Sequence, residues 1–112
     1  MSRLASGLKA WAIQRVSAIY LGLLFPYLLL HFLISAPANA QAWRDWVAQP
    51  LVSLALALGL IALILHAWVG LRDIFFDYIH PLGLRVALLS LTATGLLACG
   101  LWGLRILLLV QP

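Results

Sequence analysis

The sequence predicts an all-α integral membrane protein of three transmembrane helices, N-terminus cytoplasmic and C-terminus periplasmic. Composition is the first reason. Of 112 residues, 65% are hydrophobic and 9% are charged, where a soluble domain carries roughly 25% charge. Such a chain cannot keep a globular surface wet, and it is too apolar to be disordered. The second reason is where the charges fall. None lies between Arg15 and Arg44, between Asp45 and Arg72, or between Arg85 and Arg105. Each gap is near the ~20 residues that cross a bilayer as a helix. The third reason is that these runs do not alternate apolar and polar residues, as barrel strands would. Seven Lys and Arg against three Asp give a formal charge of +4. They form no basic stripe, so nucleic acid is not an expected partner. One Cys permits no internal disulfide and no Cys-based metal site.

The first span is read as about 16–35. Its basic start (Arg3, Lys9, Arg15) and the Ala38-Asn39-Ala40 that follows resemble a secretory signal. Its apolar run exceeds the ~7–15 residues of a signal core, so it is expected to remain as a helix. A turn at 36–46 carries Pro37, Asn39, Trp43 and Trp46. The second span is about 47–71, a polar turn follows at 72–85, and the third span is about 86–109. Together they make a single membrane domain, 1–112, with no extramembrane part large enough for an active site. Orientation follows from Lys and Arg, which favour the cytoplasmic side. Arg3, Lys9, Arg15, Arg72 and Arg85 fall on one side, and Arg44 and Arg105 on the other. Trp11, Tyr20, Trp43, Trp46, Trp68, Tyr78 and Trp102 are read mostly as interfacial aromatics near span ends.

The second span carries the chemistry. Ala55, Gly59, Ala62, His66 and Gly70 recur at helical spacing and form one stripe. His66 is its sole large member. Either another helix packs into this groove and hydrogen-bonds the histidine, or a flat macrocycle lies there with His66 as iron ligand. Depth separates His66 from the other intramembrane histidine. His66 lies roughly 9 Å below the cytoplasmic edge and His31 roughly 24 Å below it, at 1.5 Å per residue. The two cannot clamp one iron, so a second ligand would come from another polypeptide. His31 is read as bonded to a neighbouring helix or as interfacial on the outer side.

In HAWVGLRDIFFDYIHP, residues 66–81, continued helix puts Asp73 and Asp77 on the His66 stripe. Arg72 and Asp73 read as ordinary polarity ending a span. The Tyr78 phenol at the membrane edge can donate to a carbonyl while its ring stays apolar. In QRVSAIY, residues 14–20, Arg15 is either a positive-inside anchor or the partner of a buried anion such as a haem propionate. Thr92, Gly95, Cys99 and Gly103 form a small-residue stripe on the third span, read as a packing face with Cys99 inert.

These two strings, with Arg85 following, resemble the small hydrophobic membrane-anchor subunit, the D-type cytochrome b subunit, of bacterial succinate dehydrogenase, or complex II. The strings cover 7 and 16 residues of the chain, and the rest matches in layout. The Ser-x-x-His-Arg signature of that enzyme's other anchor is absent. The resemblance implies a non-catalytic subunit in the bacterial inner membrane, one of two anchors sharing haem b. Its partners would be the second cytochrome b anchor, an iron–sulfur subunit and a flavoprotein, with ubiquinone as electron acceptor. It places the axial haem ligand on His66, the propionate contact on Arg15 and the quinone contact on Tyr78, with Asp77 supporting from beside it. The family often has Thr where Ser17 stands. His31 and His80 match no motif position. Two other readings stand beside it: the anchor of a fumarate reductase, whose members can lack haem, and a small assembly or transport subunit whose His and Asp residues relay protons.

Overall fold

The computed structural model describes residues 3–112, with side chains from Gly7 onward. Met1, Ser2 and the Arg3 side chain, part of the orientation argument, lie outside that description. Helix α1 spans Arg3–Ile34, α2 Ala40–Ala48, α3 Pro50–Tyr78 and α4 Leu82–Leu109. The three long helices are apolar and long enough to cross a bilayer, at Gly7–Ile34, Pro50–Tyr78 and Leu82–Leu109. The all-helical, three-span architecture is therefore as expected, and its element bounds differ in an instructive way.

The long helices run through the charges that were taken to end them. α1 starts well before Arg15, and α3 continues past Arg72, Asp73 and Asp77 to Tyr78. From Pro50 to Arg72 is about 33 Å at 1.5 Å per residue, close to the ~30 Å hydrocarbon core. The remaining turns of α3 carry the charges beyond that core without ending the helix. What ends it is Pro81, which disfavours helical backbone at His80. Only Ile79–Pro81 separate α3 from α4, and Pro81 accepts at its carbonyl the Arg85 N–H of the first turn of α4 (2.9 Å).

The first turn was read without regular structure, yet it contains α2. Asn39 caps that helix, its side-chain oxygen accepting from the Ala42 N–H at 2.8 Å. Gln41 donates to Asp45 one turn on (2.9 Å). Val47 and Ala48, assigned by sequence to the second span, belong to α2. The chain then reverses, with Pro50 in the first turn of α3 and Ser53 donating to the Val47 carbonyl (2.8 Å).

α3 is central, with α1 antiparallel on one side and α4 antiparallel on the other. The α1–α3 seam joins Gln14 to Gly70, Ser17 to His66 and Leu24 to Gly59. A Cβ at Gly59 would collide with the end of the Leu24 side chain, so this glycine lets α1 and α3 approach closely with Leu24 as placed. On the other side, Gly100 meets Ile64 and Gly103 meets Leu60, each 2.7 Å from where a Cβ would stand. Gln111 donates to Ser53 (2.6 Å), closing the seam at its end. The expected α4 stripe is thus displaced. Gly103 packs, but Gly95 has open space around it and Cys99 is exposed. Leu96, Gly100, Gly103 and Leu107 face α3 instead. Periodicity located small residues on α4 and misjudged the facing row by one position, because apolar residues surround the helix on every side.

Candidate functional site

His66 sits four residues after buried Ala62 and four before Gly70, on the α3 face that meets α1. Its ring reaches Ser17, where Nδ1 and the hydroxyl oxygen are 3.2 Å apart. Ser17 is itself only 5% exposed, and its hydroxyl also donates to the Gln14 carbonyl at 3.0 Å. His66 is half-buried, and among the described residues nothing hydrogen-bonds its Nε2. No three His, Cys or Asp residues gather among the described residues, so His66 stands as a single nitrogen donor. Such a donor can be one ligand of a metal but cannot hold one alone.

The two uses left open for the stripe can now be separated. α1 fills the groove: Leu24 lies over Gly59, Gln14 over Gly70, and the Tyr20 hydroxyl donates to the Ala55 carbonyl at 2.6 Å. Small residues here let a neighbouring helix come close, and α1 side chains occupy the groove floor. Approach to His66 is therefore from the flank of the seam. On one flank lies an open apolar cleft of 490 Å³, bordered by Ser17, Tyr20, Ala62 and Leu65 among others. Tyr20 is accordingly not an interfacial aromatic. It spans the seam, its hydroxyl supplied with a buried backbone acceptor.

Arg15 is exposed, and its guanidinium lies 5.7 Å from the Trp11 ring centre. It makes no ion pair among the described residues, whereas Arg72 pairs with Asp73 at 3.2 Å. The Arg72–Asp73 pair is partly solvated, an ordinary contact contributing at most about 1 kcal/mol, and Arg15, like Arg85 and Arg105, has no acidic partner among the described residues. Tyr78 and Asp77 occupy the last turn of α3. Both are exposed, Tyr78 at 75%, and neither makes a side-chain hydrogen bond among the described residues. Arg85 lies over the Phe76 ring at 4.9 Å in the same corner. Twelve residues separate His66 from Tyr78, about 18 Å along the helix. The chain thus presents two separate stations on one helix.

His31 belongs to neither. It lies in the last turn of α1, stacked on Trp46 of α2 at 4.8 Å and 15°, with Tyr27 and Phe32 beside it. Phe32, Trp43 and Trp46 complete the cluster. The sequence reading of an interfacial or helix-contacting histidine fits, though the contact is aromatic stacking and not a hydrogen bond. Two residues were passed over. The sequence offers one weak signal for Tyr20 and Ser17: with Gln14 they recur three residues apart as the polar members of the α1 face that meets α3, which does not by itself pair Ser17 with His66.

Residues 1–105 match the family described as succinate dehydrogenase/fumarate reductase transmembrane subunit. The chain is also similar to the succinate dehydrogenase hydrophobic membrane anchor subunit of Coxiella burnetii (strain RSA 493 / Nine Mile phase I). Identity is 24% over 101 residues, which is 90% of this chain and 88% of that protein.

Proposed function

The chain belongs to the family of succinate dehydrogenase/fumarate reductase transmembrane subunits, and from that premise we propose that it is an anchor subunit of a bacterial succinate:quinone oxidoreductase. It forms one membrane domain, 1–112, in the inner membrane, with the Tyr78 end of α3 on the cytoplasmic side. A second cytochrome b anchor shares haem b and the quinone site with it, and the pair docks the iron–sulfur and flavoprotein subunits. By itself the chain catalyses nothing.

The observation that carries this reading is the state of His66. Its Nδ1 is engaged by Ser17, its Nε2 has no partner among the described residues, and the ring is half-buried; its neighbours Ser17, Ala62 and Leu65 border an open apolar cleft. Ligating histidines usually have one nitrogen held by a hydrogen bond while the other faces the metal. The residues therefore fit haem b: His66 would bind its iron and Arg15 would pair with a propionate. The haem supplies a one-electron store between the iron–sulfur protein and quinone. A second ligand to the iron would come from the partner anchor, because among the described residues no other histidine approaches His66.

Tyr78 serves quinone. A neutral phenol costs far less to bury than a charge and can donate to the carbonyl that becomes a hydroxyl on reduction. Its exposure at the end of α3 leaves it free to meet a head group whose tail remains in the apolar layer. Asp77 holds a partner arginine or a water beside it and aids proton delivery. A fumarate reductase anchor is the second reading, since the family covers both enzymes, and a histidine set up as a ligand favours the first.

The test is a reduced-minus-oxidised spectrum of the purified complex, wild type and His66→Leu. A haem b spectrum lost or altered in the variant is expected. A colourless wild-type complex would overturn the haem reading, and an unchanged low-spin spectrum in His66→Leu would remove His66 from the ligand set.

A further inference from the structure

We infer that Ser17 is a positioning residue that holds His66 in its Nδ1–H tautomer, so that Nε2 presents an unprotonated lone pair to the iron. This rests on the proposal that His66 is a haem ligand, and it adds how the chain makes it one.

The Ser17 hydroxyl has a single hydrogen and two close neighbours, the Gln14 carbonyl at 3.0 Å and His66 Nδ1 at 3.2 Å. A carbonyl carries no proton, so the first contact is a hydrogen bond only if Ser17 donates. With that proton committed, the second contact is a hydrogen bond only if Nδ1 carries a hydrogen and donates to the hydroxyl oxygen. The opposite arrangement, Ser17 donating to Nδ1, satisfies the histidine and leaves the carbonyl contact without a proton. It also puts the ring proton on Nε2, where it blocks ligation. One arrangement satisfies both contacts, and it leaves the Nε2 lone pair free.

The burial of Ser17 gives this arrangement its force. At 5% exposure water does not compete freely for the hydroxyl, and donation from a helical serine to a carbonyl one turn earlier is a familiar local bond. Which imidazole nitrogen is protonated is set by the bond the other makes. The glycines place the serine. A Cβ at Gly59 would strike Leu24, and one at Gly70 would stand 3.6 Å from the Gln14 amide nitrogen. The helices therefore meet on both sides of the Ser17–His66 contact. A hydrogen bond from Nδ1–H also raises the basicity of the ligating nitrogen, which favours the ferric state and lowers the haem potential.

The test uses the purified complex with Ser17→Ala, Ser17→Val and Ser17→Thr. Midpoint potential, the low-spin electron paramagnetic resonance signal of the ferric haem, and haem retained per flavin are measured. Ala and Val are expected to raise the potential, shift the resonance and weaken haem retention about 10-fold. Thr, which keeps the hydroxyl, is expected to behave as wild type. Wild-type values in Ser17→Ala or Ser17→Val overturn the inference. So does a Thr variant that matches Ala, because the effect would then come from side-chain size. A second measurement needs no variant. In the wild-type complex prepared without haem, the ¹⁵N shifts of His66 are expected to show Nδ1 protonated, and an Nε2–H form would overturn the inference. His66→Leu separates this from the haem reading. Loss of haem there, together with wild-type values in Ser17→Ala, defeats the role of Ser17 alone. Intact low-spin haem in His66→Leu defeats the haem reading itself.

Discussion

Gly59 and Tyr78 define the two ends of what single residues do in this chain. Gly59 is buried, and the space a Cβ would take already holds the Leu24 side chain. Gly59→Leu is therefore expected to separate α1 from α3, at about 1–3 kcal/mol for overpacking, and to pull Ser17 away from His66. Yield of the assembled complex and its haem content check this together, and normal values for both would mean that the seam re-forms without the glycine. Tyr78 is the opposite case, since it contacts nothing that the fold needs. Tyr78→Phe is expected to preserve assembly, haem and succinate oxidation with a soluble dye while slowing quinone reduction. One neutral hydrogen bond is worth about 0.5–1.5 kcal/mol, a several-fold effect in rate, and more if it strengthens in the transition state. Quinone kinetics equal to wild type would leave Tyr78 as an interfacial aromatic. The residue types of this site were legible in the sequence because a lone histidine among Ala and Gly is conspicuous. Its hydrogen-bond partner was not, because Ser17 lies 49 residues away and a serine in an apolar helix most often bonds its own backbone.

Among the elements, α2 is the one whose stability rests most on local bonds. It has nine residues, none of them buried, and isolated helices that short are marginal in water. Its supports are the Asn39 cap, the Gln41–Asp45 bond, and Trp43 and Trp46 set against Phe32 and His31. Asn39→Ala should cost about 1 kcal/mol of that helix. The expected result is amide exchange about fivefold faster across Ala40–Ala48 with α3 unchanged, in keeping with local opening. Unchanged exchange would show that the aromatic stack alone suffices. The long helices need no such local help, and they were legible in the sequence as charge-free stretches. Their ends were not, because a helix leaving the bilayer keeps its hydrogen bonds and simply carries Arg72, Asp73 and Asp77 into water. α2 escaped notice for a related reason: Pro37 and Asn39 mark a turn, and the cap and the tryptophans three residues apart that signal a helix follow directly behind them.

At the scale of the whole molecule, antiparallel packing collects the start of α1, the end of α3 and the start of α4 at one end. The end of α1, α2, the start of α3 and the end of α4 lie at the other. Lys9, Arg15, Arg72 and Arg85 belong to the first end, with Arg3 before them in sequence, while Arg44 and Arg105 belong to the second. Arg105 lies within α4, its guanidinium 5.9 Å from the Trp102 ring, a long side chain lying along the apolar helix as it reaches toward the interface. By the bias of Lys and Arg toward the cytoplasmic side, the first end is expected in the cytoplasm. The proposed function requires the same orientation. In the proposed complex succinate is oxidised in the cytoplasm, so electrons would arrive from that side, and Tyr78 would have to face the side on which the iron–sulfur protein docks. A C-terminal fusion to alkaline phosphatase, which matures only in the periplasm, is expected to be active, and a C-terminal fusion to a cytoplasmically folding fluorescent protein is expected to be dark. The reverse pattern would put Tyr78 at the periplasmic face, on the opposite side of the bilayer from the iron–sulfur protein. No hydrogen bond from its phenol could then serve a quinone reduced at that docking surface, whatever His66 does inside the membrane.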